Sequence, residues 1–347
     1  MSILTTLMRL RANLQTLRNT VRICRAEPRL NSFSVVTRVA YICANASKWL
    51  SFPIAIILLA YLKWARYEKN LVQRLHKLKL LSLLSRHISI ENFLTIRKCF
   101  IQPRIEGEIR PETAQNFNIP PSFGDLTQSY VKLPLKVPLN SVSEIIRKLF
   151  PVNGFLSHVS TQGSPGSFST AVQGCPFFSY DIAEPAVEEC VTTLLQTIPF
   201  AELLRICCKS NEAYIYSVNI YWAFPRDVTD HYVKTYHRDY DGFNSYALFI
   251  ALTDTQPDDG ATIFFDEIEQ KEKYLSANAG EIYLMDPFAK HRANSLFKKP
   301  RLLCWVRFGE WPNLGFYQDL GFRTATQDAM ARLNYNLLSK KFPPRQL

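Results

Sequence analysis

Apolar positions along this chain change their period from one stretch to the next, and the period predicts the elements. Between 66 and 100, Leu71, Leu75, Leu78 and Leu81 recur at helical spacing with Lys and Arg between them, which predicts an amphipathic helix docked on a core. Residues 101–140 hold Pro103, Pro111, Pro120, Pro121, Pro134 and Pro138. That density predicts a linker and lead-in loops, not a helix. Residues 140–150, NSVSEIIRKLF, read as a short helix with Glu144 three residues after Ser141, the spacing of a capping box. GSPGSFS at 163–169 reads as a flexible loop, either over a site or an ordinary surface connection. Residues 184–208 read as one or two helices, with Pro185 in an early position and Pro199 as a break.

Past residue 212 the period shortens to two. AYIYSVNIYWAF at 213–224 alternates and is rich in β-branched and aromatic residues, so it predicts a strand. Residues 246–253, 261–265, 280–285, 291–294 and 301–308 have strand composition too. Turn signals at Asp258-Asp259-Gly260, Asn278-Ala279-Gly280 and Asp286-Pro287 separate several of them. Many short strands closed by turns predict a sandwich or barrel rather than a βαβ fold, with the 184–208 helices buttressing its outer face. A last helix is predicted within ATQDAMARLNYNLLSKKF, followed by a basic stub. The chain thus divides into an extension (1–67), an amphipathic helix and Pro-rich linker (68–139), a β-rich domain (140–320) and a C-terminal helix and tail (321–347).

Charge changes this picture at one end only. The net charge is +11. Residues 1–67 carry ten basic side chains against one acid, Glu27, a net +9 that leaves +2 for the remaining 280 residues. The basic excess therefore describes the extension. The β-rich part offers no electrostatic footprint for nucleic acid, and none is expected as a partner. Residues 1–47 are Arg-rich, contain Ser and Thr, and are nearly free of acids, like an organelle transit peptide or a basic segment on an anionic membrane surface. Residues 49–65, WLSFPIAIILLAYLKWA, follow, with Trp49, Tyr61 and Trp64 flanking a 13-residue apolar core. A bilayer needs about 20 apolar residues. Three readings stand: a short or interfacial membrane helix, a signal-type hydrophobic region, or a helix buried on the domain. A cleaved secretory signal fits poorly, because the basic region before it is too long.

The eight Cys show no Cys-x-x-Cys pairing, and only Cys207 and Cys208 are neighbours. Reduced thiols in a reducing intracellular compartment are expected, cytoplasmic or membrane-associated, several of them buried as small apolar residues.

The candidate chemistry gathers in TYHRDYDGFNSYALFIALTDTQPDDGATIFF and AGEIYLMDPFAKHRANSLFKKPRLLCWVRFG. In an extended segment His237 and Asp239 share a face. His291 arrives 52 residues after Asp239, late enough for another strand. Two imidazoles and one carboxylate on one side of a metal leave the opposite positions open, the facial triad of non-haem Fe(II) oxygenases. Arg301, ten residues after His291, offers a planar fork for a carboxylate. Arg307 is its rival, since 301, 303, 305 and 307 share one strand face. Asp241 competes with Asp239 as a ligand. His231 has Val233 where an acid would be needed, and reads as a nearby loop residue. His76 and His87 lie on a polar, basic stretch and are expected to face solvent.

The residues HRD at 237–239, ALFIALTD at 247–254, DGATIFF at 259–265, AGEIYLMD at 279–286, His291 and Arg301 resemble the Fe(II)/2-oxoglutarate dioxygenases, and within them the phytanoyl-CoA dioxygenase-like family. The resemblance covers residues 210–310 well and 140–210 loosely. It implies a double-stranded β-helix, or jelly roll, mainly β with flanking helices, behind an N-terminal helical extension. It implies Fe(II) on His237, Asp239 and His291, 2-oxoglutarate as cosubstrate with its distal carboxylate on Arg301, and O2 as oxidant. Asn219 or Tyr221, on the strand before the metal motif, would lend a polar group to the cosubstrate. Hydroxylation of an unactivated C–H, or a related desaturation or rearrangement, would accompany release of succinate and CO2, since related halogenases lack the carboxylate that Asp239 supplies. Many members follow the DG-containing strand with a Pro-Gly-Ser-His turn. Here the text is FFDEIEQKEKYL, so the substrate, a small or lipid-like molecule, is not carried over in detail. An inactive barrel acting as a binding or structural protein is the alternative; it would be expected to lose one of His237, Asp239, His291 and Arg301, and all four are present. A cupin-type site without 2-oxoglutarate would be built on a His-x-His motif, which is absent from this region.

Overall fold

Alternation along the strand Arg301–Gly309 divides two interiors. Leu302, Cys304, Val306 and Phe308 belong to a large core shared with helices, whereas Leu303 and Trp305 belong to a smaller core shared with other strands. A sequence apolar on both faces is what a strand buried on both sides requires. The computed structural model describes residues 60, 90–101, 117–120, 123, 128–157, 164–208, 213–225, 235–239, 244–267, 269–294, 298–309 and 324–338. The described strands are β1 (Tyr130–Lys136), β2 (Gly154–Ser157), β3 (Ser164–Gly166), β4 (Phe177–Tyr180), β5 (Tyr214–Ala223), β6 (Ser245–Ala251), β7 (Thr262–Asp266), β8 (Lys271–Leu275), β9 (Glu281–Met285), β10 (His291–Arg292) and β11 (Arg301–Gly309). The helices are α1 (Ile90–Ile101), α2 (Leu139–Leu149), α3 (Phe168–Gly174), α4 (Pro185–Gln196), α5 (Phe200–Cys208) and α6 (Thr324–Leu338). All but α1 lie in one compact unit, Pro103–Pro312 with Phe316–Pro343.

The large sheet is antiparallel, in the order β1-β9-β6-β11-β5-β4-β2-β3, and the small sheet runs β10-β7-β8. An isolated bridge from His237 to His291 extends the small sheet by one more segment. Four neighbours of the large sheet, β5-β11-β6-β9, therefore face four segments of the small one. Phe249, Tyr283, Leu303 and Met285 meet Phe264 and Leu275 between them. This is a double-stranded β-helix, as the resemblance implies. Apolar faces of α2, α4, α5 and α6 cover the outer side of the large sheet, with Val191, Leu194, Leu203 and Leu333 fully buried. Pro185 opens α4 at its first turn, and Pro199 separates α4 from α5.

Several expectations are corrected. The capping box at Ser141 and Glu144 does not form: Pro138 is the N-cap of α2 and no side chain caps it. Glu144 instead faces Lys148 at 3.2 Å, one turn on. Of the stretch expected as a loop at 163–169, Ser164–Gly166 pairs with β2 as β3, and Ser167 then caps α3 by accepting from the Thr170 N–H. The Pro-rich stretch contains β1, an edge strand. Its register breaks between Lys132 and Lys136, where Pro134 sits and needs no ladder donor. The charged segment KEKYL forms β8, also at an edge. The amphipathic pattern from Leu71 to Leu81, His76 and His87 lie outside the described residues, as does the apolar stretch 49–65 except Ala60. Among the described residues no single helix is long and apolar enough to cross a membrane. Cys175, Cys190, Cys207, Cys208 and Cys304 are buried.

One polar side chain locks the last helix to the sheet. Between β5 and β11 the register skips Tyr216, a bulge beside Ile215. Asn334 on α6 accepts from the Ile215 N–H (2.8 Å) and donates to the Ile215 carbonyl (2.7 Å) and to Met330 (2.8 Å), all fully buried. Asn334→Leu leaves two backbone groups of the bulge without a partner, at about 1–3 kcal/mol each. Urea unfolding at neutral pH should register a loss of about 2–5 kcal/mol. A change within experimental scatter would show that α6 does not hold the bulge.

Candidate metal centre

Residues 237 and 291 form a reciprocal antiparallel pair, each N–H donating to the other's carbonyl at 2.9 Å. Directly opposed residues project to the same face. Asp239, two residues on, projects to that face as well, and its N–H donates to the Pro287 carbonyl at 2.9 Å. Arg238 lies between them and points the other way. It donates to the Phe288 carbonyl at 2.7 Å and to the Glu267 carboxylate, so both faces of this short segment are fixed.

The ligand atoms of His237, Asp239 and His291 all lie within 4.8 Å of one another. Nε2 of His291 is 3.7 Å from Asp239 Oδ2, and Nε2 of His237 is 4.0 Å from Asp239 Oδ1. Facial ligands around an ion with bonds of about 2.1 Å stand about 3 Å apart, so an ion would draw these side chains together from the present separations. Nδ1 of His237 faces the Thr235 carbonyl at 2.9 Å, and Nδ1 of His291 faces the Ala289 carbonyl at 2.8 Å. A carbonyl only accepts, so each Nδ1 carries a proton and each Nε2 is the nitrogen turned toward Asp239. Nε2 of His291 is buried with no hydrogen-bond partner among the described residues.

Burial sets the charges. Desolvation pushes the His291 imidazole down to about 4, against the pull of Asp239, and the neighbouring His237 and Arg307 charges push the same way. Burial also works against the Asp239 carboxylate, but Arg307 and then the two imidazoles outweigh it and hold its carboxyl below the ordinary value. The two partners thus depart from simple pairing. Asp239 spends its charge on Arg307, whose Nη2 donates to Oδ2 at 2.8 Å, and His291 stays neutral.

The two arginines of β11 part company here. Arg307 sits at the Asp239 carboxylate with its guanidinium over Trp305, 4.3 Å from the ring centroid. Arg301 is 2% exposed and has no carboxylate partner among the described residues. It donates to the carbonyl of Gly260, which ends the Asp258-Asp259-Gly260 turn at φ 87°. Its Nε is buried without a partner among the described residues. Burial pulls the Arg301 cation toward its neutral form, and Tyr221 partly opposes this. Tyr221, opposite Leu303 on β5, senses both arginines; burial raises its hydroxyl above the ordinary value and the arginines draw it back. Asn219 lies opposite Trp305 and is solvent-exposed. His231 and Asp241 lie outside the described residues. Sequence reasoning missed the contact between Arg307 and Asp239, although the shared strand face of 301 and 307 was its signal. It also missed the Trp305 indole, whose Nε1 is buried without a partner among the described residues.

No protein-family model and no curated protein matches the chain. Solved structures similar to it include EctD from S. alaskensis with bound Fe (12% identity, TM-score 0.39, covering 60% of this chain and 81% of that one). HygX from Streptomyces hygroscopicus, with nickel, 2-oxoglutarate and hygromycin B bound, is similar at 12% identity and TM-score 0.37 over 53% of this chain and 83% of that one. The non-heme alpha ketoglutarate dependent carbocyclase SnoK from nogalamycin biosynthesis is similar at 14% identity and TM-score 0.37, over 60% and 86%. Likeness this remote decides nothing about the chemistry of this chain.

The His291 shift has a pH consequence. An unfolded imidazole titrates near 6.5 and the folded one at about 4. Between these values the unfolded chain binds the extra proton, so stability of the metal-free protein falls as pH drops from 6.5 to 4. The share due to His291 is on the order of 3 kcal/mol. Asp239, whose carboxyl is depressed, adds a further loss only as pH falls below its ordinary 3.8. Urea unfolding at pH 7, 5.5 and 4.5 should show the first loss, and His291→Asn should flatten it. Equal slopes in both proteins would place the titrating group elsewhere.

Proposed function

We propose that this protein is an Fe(II)- and 2-oxoglutarate-dependent dioxygenase, related to the phytanoyl-CoA dioxygenase-like family. It hydroxylates an unactivated C–H of a small or lipid-like molecule and releases succinate and CO2. The observation that carries the reading is the His291 Nε2 lone pair, buried without a hydrogen-bond partner among the described residues and set beside Asp239 and His237. A buried polar atom with nothing to bond is costly unless a ligand completes it. Two imidazoles and one carboxylate suit a first-row divalent ion and leave positions open.

The iron, with 2-oxoglutarate and O2, supplies the oxidising power that side chains lack. The rest falls to this chain. His237, Asp239 and His291 hold the ion. Arg301, buried and without a carboxylate partner among the described residues, receives the distal carboxylate of the cosubstrate. Tyr221 and Asn219, on the neighbouring strand β5, line the path between them. Phe249, Phe264, Leu303 and Met285 keep the space dry and strengthen the charged contacts within it. Residues 1–67 serve as a targeting or membrane-surface element of an intracellular protein. The catalytic domain takes in β1 and α6 beyond the expected 140–320, since β1 joins its sheet and Asn334 of α6 bonds to β5.

Full-length protein loaded anaerobically with Fe(II), then given 2-oxoglutarate and O2 over a panel of candidate substrates, should release succinate. Arg301→Leu should raise the apparent cosubstrate constant by orders of magnitude and leave Fe(II) affinity nearly unchanged, since losing one partner of a buried pair costs about 3–5 kcal/mol. Arg301→Lys should restore only part, because a point charge lacks the fork. Cosubstrate binding that survives at Arg301→Leu and disappears at Arg307→Leu would move the anchor to Arg307.

The extension has its own test. Protein lacking residues 1–67 should still consume 2-oxoglutarate but should no longer sediment with anionic vesicles. Undiminished sedimentation would count against a membrane-surface role, and aggregation of the shortened protein would favour a buried helix at 49–65.

A further inference from the structure

We infer that Arg307 is a positioning residue for the metal carboxylate: it holds Asp239 by one oxygen and so reserves the other for the ion. The inference rests on the metal reading above. Nη2 of Arg307 donates to Oδ2 of Asp239 at 2.8 Å; that oxygen also lies 3.7 Å from His291 Nε2, while Oδ1 lies 4.0 Å from His237 Nε2 and carries no bond from Arg307. A carboxylate free to rotate can chelate an ion through both oxygens and fill two positions. Held by a charge-assisted bond at Oδ2, it fills one. The count matters. Two imidazoles and one carboxylate oxygen leave three of six positions open, enough for a two-point keto acid and a further small molecule. A chelating carboxylate would leave one fewer.

The fold is arranged to keep this guanidinium in place. Arg307 lies on β11, the strand flanked on both sides within the large sheet. Its direct neighbours on the same face are Ser217 of β5 and Ala247 of β6, both small, so the long side chain has room to lie along the strand. The plane of its guanidinium rests on Trp305, two residues earlier on the same face. Trp305 is in turn packed by Phe249 at 5.4 Å and approaches the His291 ring at 6.2 Å. A flat cation bonded at its edge and stacked on its face is a fixed donor, and only Arg offers both contacts. The same residue repels a divalent cation, so two effects oppose each other. Fixed orientation wins here: hydrogen-bonded partners of metal ligands typically contribute about 10–100-fold in affinity.

The test is Co(II) titration of the full chain, followed by visible absorption, for wild type, Arg307→Gln and Arg307→Lys, with urea unfolding of each metal-free protein as the check on folding. Wild type should bind one Co(II). Arg307→Gln should bind 10–100-fold more weakly and change the shape of the visible bands, because both carboxylate oxygens can then reach the ion. Arg307→Lys should recover affinity in part. If Arg307→Gln binds as tightly as wild type with the same spectrum, the ion displaces Arg307 and the positioning role is wrong, while the metal site stands. If wild type takes up no Co(II), the metal reading fails and this inference with it.

Discussion

Two backbone hydrogen bonds between His237 and His291 hold the candidate site together. His237 and Asp239 belong to the connection between β5 and β6, and only their pairing with 287–291 places them inside the barrel. Because side chains alternate, a slip of one residue would turn Arg238 inward and both ligands outward. Arg238 resists that slip from the outer side through its bonds to Phe288 and Glu267. The register is therefore fixed from both faces, and the triad follows from it without further adjustment of the backbone.

Charge within the barrel is settled by distance and burial together. A carboxylate beside two imidazoles would ordinarily draw a proton onto one of them. Here the Asp239 charge is engaged by Arg307, and the buried His291 remains neutral. Backbone carbonyls fix the tautomers of both rings. The outcome is two imidazoles and one anionic oxygen around a single point, the donor set that a divalent ion needs, with the buried His291 ring neutral.

How far the sequence carried the argument depends on how local each cause is. The strand AYIYSVNIYWAF and the His-x-Asp pair were legible because a period of two is a property of the segment itself. The helices 185–196 and 200–208 were legible because Pro185 and Pro199 mark them directly. β1, β3 and β8 were not. YVKLPLK, SPG and KEKYL carry a Pro or charges that argue against a strand until a partner edge is known. The capping box at Ser141 failed because the helix begins earlier, at Leu139. The locking role of Asn334 rests on a contact 119 residues away in sequence. Spacing from His291 favoured Arg301 over its rival Arg307, but one strand face holds both, and only tertiary neighbours show what each touches.

Those neighbours give the two arginines different work. Residues six apart on a strand lie about 20 Å apart along it, so one residue type serves both ends of the interior. At the Arg307 end a carboxylate is already present, and the cation is compensated within the fold. At the Arg301 end the described residues offer a single carbonyl, that of Gly260, and a tyrosine that remains neutral. A guanidinium has five donors and a full charge, so one carbonyl leaves it largely unsatisfied. Burying it that way is unfavourable for the empty protein by several kcal/mol. A soluble dicarboxylate bound between the metal ligands and Arg301 would remove that penalty. The least stable cation in the barrel is thus the one with the most to gain from an anionic ligand.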